Sequence, residues 1–263
     1  FLGMHYDTGN GIGQDHAEAV RWFRKAAEQG HEEAQFRLGS AYFHGEGVEQ
    51  DHVEAARWLL MAAERGHDEA QNALGGMYDN GLGVGQDHAE AVLWYRRAAE
   101  QGHAEAENSL GASYGNGQGV RRDHSEAVRW YRRAAEQGHA GAQCNLGVMY
   151  ENGWGVERDH AEAVRWFRKS AEQGFAHAQG KLGVAYELGQ GVAQDASEAA
   201  RWYLMAAEQG HADSQCNLGT LYQRGRGVPK SPAQAAHWYL LAELSGHPNA
   251  GTWLAAMLAD DPI

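Results

Sequence analysis

Seven tryptophans recur in this chain at intervals of 36 residues, with no insertion or deletion between them. They are Trp22, Trp58, Trp94, Trp130, Trp166, Trp202 and Trp238. A leucine column and a tyrosine column keep the same interval, for example Leu38 and Tyr42 in the unit of Trp58. A fixed period of this length is typical of solenoids, in which each repeat buries its apolar face against its neighbours. The sequence therefore predicts one elongated repeat domain over residues 1–263.

The charge balance excludes one class of partner. The chain has 22 basic and 35 acidic residues and a net charge of −13. Nucleic-acid binding depends largely on basic side chains that neutralise phosphates, so no nucleic-acid partner is expected. No apolar run reaches the roughly 18 residues of a membrane span, and no signal-peptide pattern is visible. The sequence thus predicts no direct membrane span.

Each repeat is predicted to contain two helices, which we call helix A and helix B. In the unit 33–66, Ala34, Leu38 and Tyr42 recur at steps of three and four residues, which places them on one face of helix A. Gly45 and Gly47 follow, and glycine accepts the left-handed backbone that ends a helix. A tight loop is expected after helix A.

Helix B is predicted to begin at an aspartate with a glutamate three residues later, as at Asp51 and Glu54. In such a capping box the aspartate accepts from backbone amides while the glutamate reaches back to the aspartate N–H. The same pair is found at Asp15 and Glu18, Asp87 and Glu90, Asp123 and Glu126, Asp159 and Glu162, and Asp195 and Glu198. The seventh start uses Ser231 and Gln234, with Pro232 at the first helical position. Ala55, Trp58, Leu59, Ala62 and Ala63 form the expected buried stripe of helix B.

The repeat spelling A-x-x-x-L-G-x-x-Y-x-x-G-x-G-V-x-x-D-x-x-E-A-x-x-W-x-x-x-A-A-x-x-G resembles the Sel-1-like repeat, a relative of the tetratricopeptide repeat. The match divides the chain into a partial first repeat (1–30), six full repeats (31–246) and a C-terminal capping helix (247–263), predicted to run from about His247 to Asp260. The resemblance implies an all-α, α/α superhelical solenoid with helix A lining a concave groove. It also implies adaptor work, because Sel-1-like proteins generally hold other proteins together.

A binding site is expected where the repeats differ, because packing, capping and turning account for the columns that recur. When the L-G-x-x-Y motif is aligned on the tetratricopeptide pattern, variable columns face the groove. The predicted partner-binding residues are Phe36, Phe43, His44, Asn72, Asp79, Asn80, Asn108, Asn116, Glu151, Asn152 and Arg224, together with Trp154 in a loop.

Three kinds of side chain stand out in this set. An asparagine amide both donates and accepts, so a row of them can bind the backbone of an extended peptide. In a competing interpretation, asparagine is simply a tolerated polar residue near a helix end. The aromatic residues are the expected anchors, with local burial as the alternative for Trp154. Asp79 and Glu151 favour a basic or neutral peptide.

No metal or cofactor is expected. Most of the fifteen histidines fall in two columns, one after the capping aspartate and one after the last glycine of helix B. Members of one column lie about one helix diameter (~10 Å) apart, whereas zinc ligands converge within roughly 2.1 Å of the ion. Glycine pairs such as Gly81 and Gly83 follow a helix and lack the lysine of a phosphate-binding loop.

Cys144 and Cys216 are separated by 72 residues, which is two repeats. Their expected separation of ~20 Å exceeds the ~7 Å limit for a disulfide. This usage favours a reducing compartment, and hence the cytoplasm over the periplasm. The sequence begins with Phe1 inside the repeat pattern, which predicts that an upstream piece is missing and that the open end can associate end to end with another molecule.

The sequence predicts a non-enzymatic scaffold that binds a peptide or protein. None of the motifs S-x-x-K, H-E-x-x-H, C-x-x-C, G-x-S-x-G or the P-loop is present, and the recurring acids are explained as helix caps. Alternatives are binding of a cell-wall or polysaccharide fragment, a disfavoured β-lactamase-like enzyme, and an engineered consensus-like scaffold without a natural ligand.

Overall fold

A computed structural model describes residues 2–9, 11 and 13–260 of the chain. Within these residues it contains fifteen α-helices and no β-strand, so the predicted all-α repeat fold is confirmed. The helices are α1 Leu2–Thr8, α2 His16–Glu28, α3 Glu32–His44, α4 His52–Glu64, α5 Asp68–Asn80, α6 His88–Glu100, α7 Ala104–Asn116, α8 His124–Glu136, α9 Ala140–Asn152, α10 His160–Glu172, α11 Ala176–Leu188, α12 Ala196–Glu208, α13 Ala212–Arg224, α14 Pro232–Leu244 and α15 Ala250–Asp260. The odd-numbered helices are copies of helix A, and the even-numbered helices are copies of helix B.

Helix B starts at the predicted cap, but the capping box is only half formed. The Asp51 carboxylate accepts hydrogen bonds from the N–H groups of Val53 and Glu54, at 2.9 and 3.1 Å. The prediction that the Asp51 N–H donates to the Glu54 side chain is wrong, because this N–H donates to the Tyr42 carbonyl at 2.9 Å. The Glu54 carboxylate instead pairs with Arg57 at 3.0 Å. Helix A thus supplies the acceptor and ties the two helices of the repeat together.

Helix A is capped by the histidine column. The Nδ1 atom of His67 accepts a hydrogen bond from the N–H of Ala70 at 3.3 Å, and His103, His139 and His211 do the same in their repeats. A backbone N–H can only donate, so Nδ1 carries the lone pair and the ring proton is on Nε2. At the other end of α5, Gly81 adopts the left-handed conformation with φ of 69°. The terminal glycine therefore ends helix A as predicted.

A second glycine column sets the distance between the two helices of a repeat. A Cβ added at Gly75 of α5 would lie 2.6 Å from Tyr95 Cδ1 of α6, which is closer than side-chain atoms approach. The tyrosine ring is 6% exposed and packs directly on the glycine. Close-packed interiors do not absorb such an overlap without displacement, so this column requires glycine.

Neighbouring repeats are joined through a glycine and a tryptophan. A Cβ added at Gly83, in the loop after α5, would lie 2.0 Å from the His52 carbonyl oxygen at the start of α4 in the preceding repeat. Trp94 of α6 belongs to the same buried cluster as Leu59 and Leu74 of the preceding helices. The regular tryptophans therefore fill the space between repeats, as the solenoid interpretation requires.

A buried glutamine column adds hydrogen bonds between helix A and helix B of the preceding repeat, with one departure. Gln71 is 4% exposed and its amide donates to the Ala63 carbonyl at 3.0 Å. At the equivalent position Glu107 is 0% exposed and its carboxylate lies 2.8 Å from the Arg133 guanidinium. Arg133 also donates to the Ala99 carbonyl at 3.1 Å. A glutamine amide at position 107 would bind this same carbonyl.

The chain divides into two compact units, Phe1–Ala134 and Ala135–Ile263, with the boundary inside α8. A single repeat domain over 1–263 stays a prediction. The last helix begins at Ala250, later than the predicted start near His247. The His247 Nδ1 accepts from the N–H of Asn249 at 3.3 Å, so a turn containing Pro248 replaces the first helical residues.

Candidate functional site

An apolar cavity of about 260 Å³ opens beside α3 and α5 in the first unit. We call it the α3–α5 cavity. It is lined by Phe36, Ser40, Phe43, His44, Leu59, Ala73, Gly76, Met77, Asn80 and Leu82. Four of these, Phe36, Phe43, His44 and Asn80, belong to the set predicted from the variable columns. The structure therefore brings four predicted residues from two neighbouring helices to one place.

Gly76 leaves the room for this cavity. The same column carries Ser40, Ala112, Val148, Val184 and Thr220 in the other full repeats. The nearest atom to a Cβ added at Gly76 is the Tyr95 hydroxyl oxygen at 3.7 Å, an ordinary contact distance. Gly76 is therefore not required by packing, in contrast to Gly75, and a larger side chain there would occupy the cavity.

The aromatic walls are held in place by histidines. The rings of Phe36 and His67 stack with their centroids 4.6 Å apart. Phe43 contacts His44 and His52, each with a centroid separation of 5.0 Å. Both phenylalanines are half-buried rather than exposed, since they also pack against the core. Both aromatic walls are thus packed against neighbouring rings and the core, and contacts of this kind reduce the ordering entropy that binding costs.

The asparagines at the ends of helix A serve the helix itself. The Asn80 Nδ2 donates to the Gly76 carbonyl at 2.8 Å, and the Asn152 Nδ2 donates to the Val148 carbonyl at 2.8 Å. Each of these bonds goes to the carbonyl four residues earlier in the same helix, so the asparagine amide N–H is used within helix A. Both side chains are exposed at the surface, and neither of the two bonds uses the amide oxygen.

The two predicted acids both have partners in the fold. The Asp79 carboxylate lies 2.7 Å from the His88 Nδ1, and the Glu151 carboxylate lies 2.7 Å from the Lys181 ammonium. Near the cavity, Arg37 and His67 outweigh the effect of burial on Glu33 and lower the pKa of its carboxyl. The Lys181 ammonium and the Arg37 guanidinium therefore offset part of the negative potential at Glu151 and Glu33, and Asp79 is hydrogen-bonded to His88.

The remaining predicted residues do not line the α3–α5 cavity. Asn72 lies half-buried on α5, Asn108 lies half-buried on α7, and Asn116 is exposed at the end of α7. In the second unit, Arg224 is exposed at the end of α13, and Trp154 is 47% exposed in the loop after α9. Each of these residues faces solvent at least in part.

Sequence patterns alone did not single out the floor of the cavity. Leu59, Met77 and Leu82 line it, yet Leu59 and Met77 are also core residues with 2% and 1% exposure. Residues of this kind are indistinguishable from ordinary packing positions in a sequence. The usable signal was Gly76, the one glycine in a column that otherwise carries larger side chains.

Within the described residues, no cluster of three or more histidine, cysteine, aspartate or glutamate side chains is arranged to hold a metal ion. In the same part of the chain, no helix combines the length and the hydrophobicity that a bilayer span needs. Cys144 and Cys216 are both buried free thiols. Burial raises the pKa of Cys144 to about 12 and that of Cys216 to about 11.

Seven consecutive segments match the family described as Sel1 repeat: 1–31, 32–67, 68–103, 104–139, 140–175, 176–211 and 212–247. This chain belongs to the Sel1 repeat family. Sel1 repeat proteins are generally protein-interaction scaffolds. Among curated proteins, none matches the chain.

Two solved Sel1 repeat structures are similar to this chain. A protective antigen of uropathogenic Escherichia coli strains with an SLR fold is 40% identical, with a TM-score of 0.86 over 99% of this chain and 56% of that protein. The chain thus spans little more than half the length of that relative. A Sel1 repeat protein from Oxalobacter formigenes is 38% identical, with a TM-score of 0.81 over 97% of this chain and 74% of that protein.

Proposed function

We propose that this Sel1 repeat chain is a non-enzymatic scaffold that binds an extended peptide segment of a protein partner along its helix A copies. One apolar side chain of the segment, an aromatic residue or leucine, inserts into the α3–α5 cavity. The observation that carries the proposal is the convergence of Phe36, Phe43 and Gly76 on one open apolar cavity. Family membership supports the general role, because Sel1 repeat proteins generally serve as interaction scaffolds.

The chemistry of the cavity favours an apolar anchor with a polar rim around it. Aromatic and aliphatic side chains form the walls and floor, so an inserted side chain loses water on all sides. Ser40, His44 and Asn80 lie at the same cavity and can exchange hydrogen bonds with the peptide backbone on either side of the anchor. Anchors of this kind carry most of the affinity in protein interfaces.

The peptide is proposed to be neutral or basic. The chain carries a net charge of −13, which slows the approach of an acidic segment and favours a basic one. The Lys181 ion pair weakens the local contribution of Glu151, and the Asp79 carboxylate is already hydrogen-bonded to His88. The preference therefore rests on the field of the whole molecule rather than on one contact.

The test is a peptide-display selection on the full chain, with Gly76→Val as the decisive variant. Valine stands in this column at Val148 and Val184, and the space at Gly76 admits a Cβ without a clash. It would fill the cavity and leave the fold intact. Ala112→Val, which changes the same column one repeat later and lies outside the cavity, is the matched control.

We expect the selection to enrich peptides that share one aromatic or leucine position. A synthetic peptide from the enriched set should bind the parent chain and Ala112→Val equally well, as measured by calorimetry. Its affinity for Gly76→Val should fall at least ten-fold, which corresponds to about 1.4 kcal/mol. Equal binding to all three proteins would remove the cavity from the proposal, and failure to enrich any apolar position would reject the proposal itself.

A further inference from the structure

A second cavity, of about 300 Å³, lies in the second unit and is polar. We call it the histidine cavity. Its lining includes His177, Lys181, His211, Ser214, Asn217 and His247. It lies outside the residues predicted from the variable columns, and the proposed peptide anchor does not use it. His211 and His247 belong to the histidine column that caps helix A, but His177 does not, so its place at this opening requires an explanation that the repeat architecture alone does not provide.

Two other junctions between repeats show the usual arrangement of this histidine column. The Nε2 of His67 lies 3.1 Å from the carboxylate of Glu33 in the preceding repeat. The Nε2 of His247 lies 3.6 Å from the carboxylate of Asp213. Because the Nδ1 of His67 accepts from the backbone, its Nε2 carries the proton and donates to the acid. At the His67 junction an acid on the preceding helix A thus receives the histidine proton, and at the His247 junction an acid stands in the same place.

At His211 this acid is missing. The position equivalent to Glu33 and Asp213 is His177, whose Nδ1 lies 3.4 Å from the His211 Nε2. The Nδ1 of His211 is already occupied by the N–H of Ser214 at 3.3 Å and by its hydroxyl at 2.9 Å. His211 therefore keeps its proton on Nε2 and can offer it only to the neutral imidazole of His177.

The charged groups around this pair are one cation, Lys181, and two acids, Glu151 and Asp213, so one charged imidazole makes the site neutral in total. On α11, Lys181 lies beside His177 and is paired with Glu151 of α9 at 2.7 Å. On α13, Asp213 is 74% exposed and faces His247 from the turn before α15. Burial lowers the pKa of His177, and the nearby His211 and Lys181 lower it further. Burial also lowers the pKa of His211, against the opposing effect of Asp213.

We propose that the histidine cavity binds a carboxylate group of a protein partner. This carboxylate takes the place that Glu33 holds beside His67 and that Asp213 holds beside His247. One carboxylate oxygen accepts the Nε2 proton of His211. His177 takes up a proton from solvent and pairs with the bound carboxylate. One proton is therefore taken up with each carboxylate that binds. The affinity of the site for the carboxylate must then rise as pH falls.

The experiment is an NMR titration of the full chain labelled at histidine, following the ring signals of His177 and His211. The first probe is acetyl-Gly-Glu-Gly-amide, which presents only a side-chain carboxylate. Acetyl-Gly-Gly-Gly with a free terminus presents only a terminal carboxylate. Acetyl-Gly-Gln-Gly-amide presents neither. Because a few polar contacts give affinities near the millimolar range, titrations extend to about 20 mM.

We expect at least one carboxylate probe to shift both rings with saturation, and the glutamine probe to leave them unchanged. The probe that binds identifies the source as a side chain or a chain terminus, and either supports the proposal. Affinity should be at least ten-fold higher near pH 5.5 than near pH 7.5, because the pKa of His177 lies below the ordinary value of 6.5 and its protonated fraction changes by about that factor or more.

The decisive variant is His177→Glu, which restores the acid found at the equivalent positions. The new carboxylate should occupy the site permanently, so probe binding should be lost while the chain stays folded. His177→Gln, which removes the titrating group but supplies no acid, should lose the pH dependence. Equal binding by His177→Glu and the parent, a response to the glutamine probe, or no response at about 20 mM would each overturn the proposal.

Discussion

Arg133 and Glu107 form an ion pair, 2.8 Å apart. Glu107 stands in a column where the other full repeats carry glutamine. The carboxylate is fully buried while the guanidinium reaches solvent, and the arginine also binds the Ala99 carbonyl. The first unit thus contains a buried negative charge, on Glu107, that is paired with the Arg133 guanidinium. Removing the arginine alone leaves an uncompensated buried carboxylate and is costly, whereas replacing both members by neutral residues is often nearly neutral.

We therefore expect Arg133→Met to destabilise the first unit by about 3 kcal/mol, because an uncompensated carboxylate remains buried. Adding Glu107→Gln should recover most of this loss, since the amide can bind the Ala99 carbonyl as Gln71 binds Ala63. The measurement is urea unfolding of both variants. Arg97→Met, at the equivalent position one repeat earlier, is the control and should cost clearly less. Additive effects of the two substitutions would contradict the pairing.

Gly75→Ala is expected to destabilise the chain by about 2 kcal/mol, because the methyl group would overlap the buried Tyr95 ring and force the two helices apart. The measurement is thermal unfolding followed by circular dichroism. Gly85→Ala is the control, because no atom lies within 4 Å of a Cβ at that position. A melting temperature for Gly75→Ala equal to that of the control would mean that the helices can separate at no cost.

Acidification should weaken the second unit through His177 and His211. Burial lowers the pKa of both groups, so the folded state favours the neutral rings. Their contribution to stability is complete above the unfolded pKa near 6.5 and is lost as pH falls below it. We expect the melting temperature to fall more between about pH 7.5 and about pH 5.5 in the parent than in His177→Glu, whose new acid favours a charged His211. The opposite order would contradict the proton assignment.

The two thiols should be unreactive in the native chain. Burial raises the pKa of Cys144 to about 12 and that of Cys216 to about 11, which leaves almost no thiolate at neutral pH. A thiol-reactive chromophore should therefore detect neither cysteine in the folded protein and both after denaturation. Rapid labelling of either one under native conditions would reveal local opening of the second unit.

The periodic residues were sufficient to predict the fold. Asp51, Gly81 and Trp94 act as cap, terminator and packing residue, and a 36-residue period places each of them without reference to tertiary structure. Glu54 was assigned the wrong partner because a local capping rule does not include the Tyr42 carbonyl of the other helix. Competition between local and tertiary acceptors is visible only in the folded chain.

The candidate site was only partly predictable, for a different reason. The variable columns contained Phe36, Phe43 and Asn80, but a cavity depends on what is absent as well as on what is present. Gly76 creates the opening without contacting anything that a sequence motif could record. At the histidine cavity the informative signal was also a substitution within a column, from acids such as Glu33 to His177.

The contact of Gly83 with the main chain of His52 has a consequence for how such a protein changes over generations. This contact recognises a carbonyl group that every residue type carries, and the same geometry recurs at Gly47, Gly119, Gly191 and Gly227. A duplicated unit therefore finds a compatible neighbour whatever its variable side chains are. Arrays of this kind can lengthen or shorten by whole units in a single genetic event, while each cavity evolves within the few units that build it.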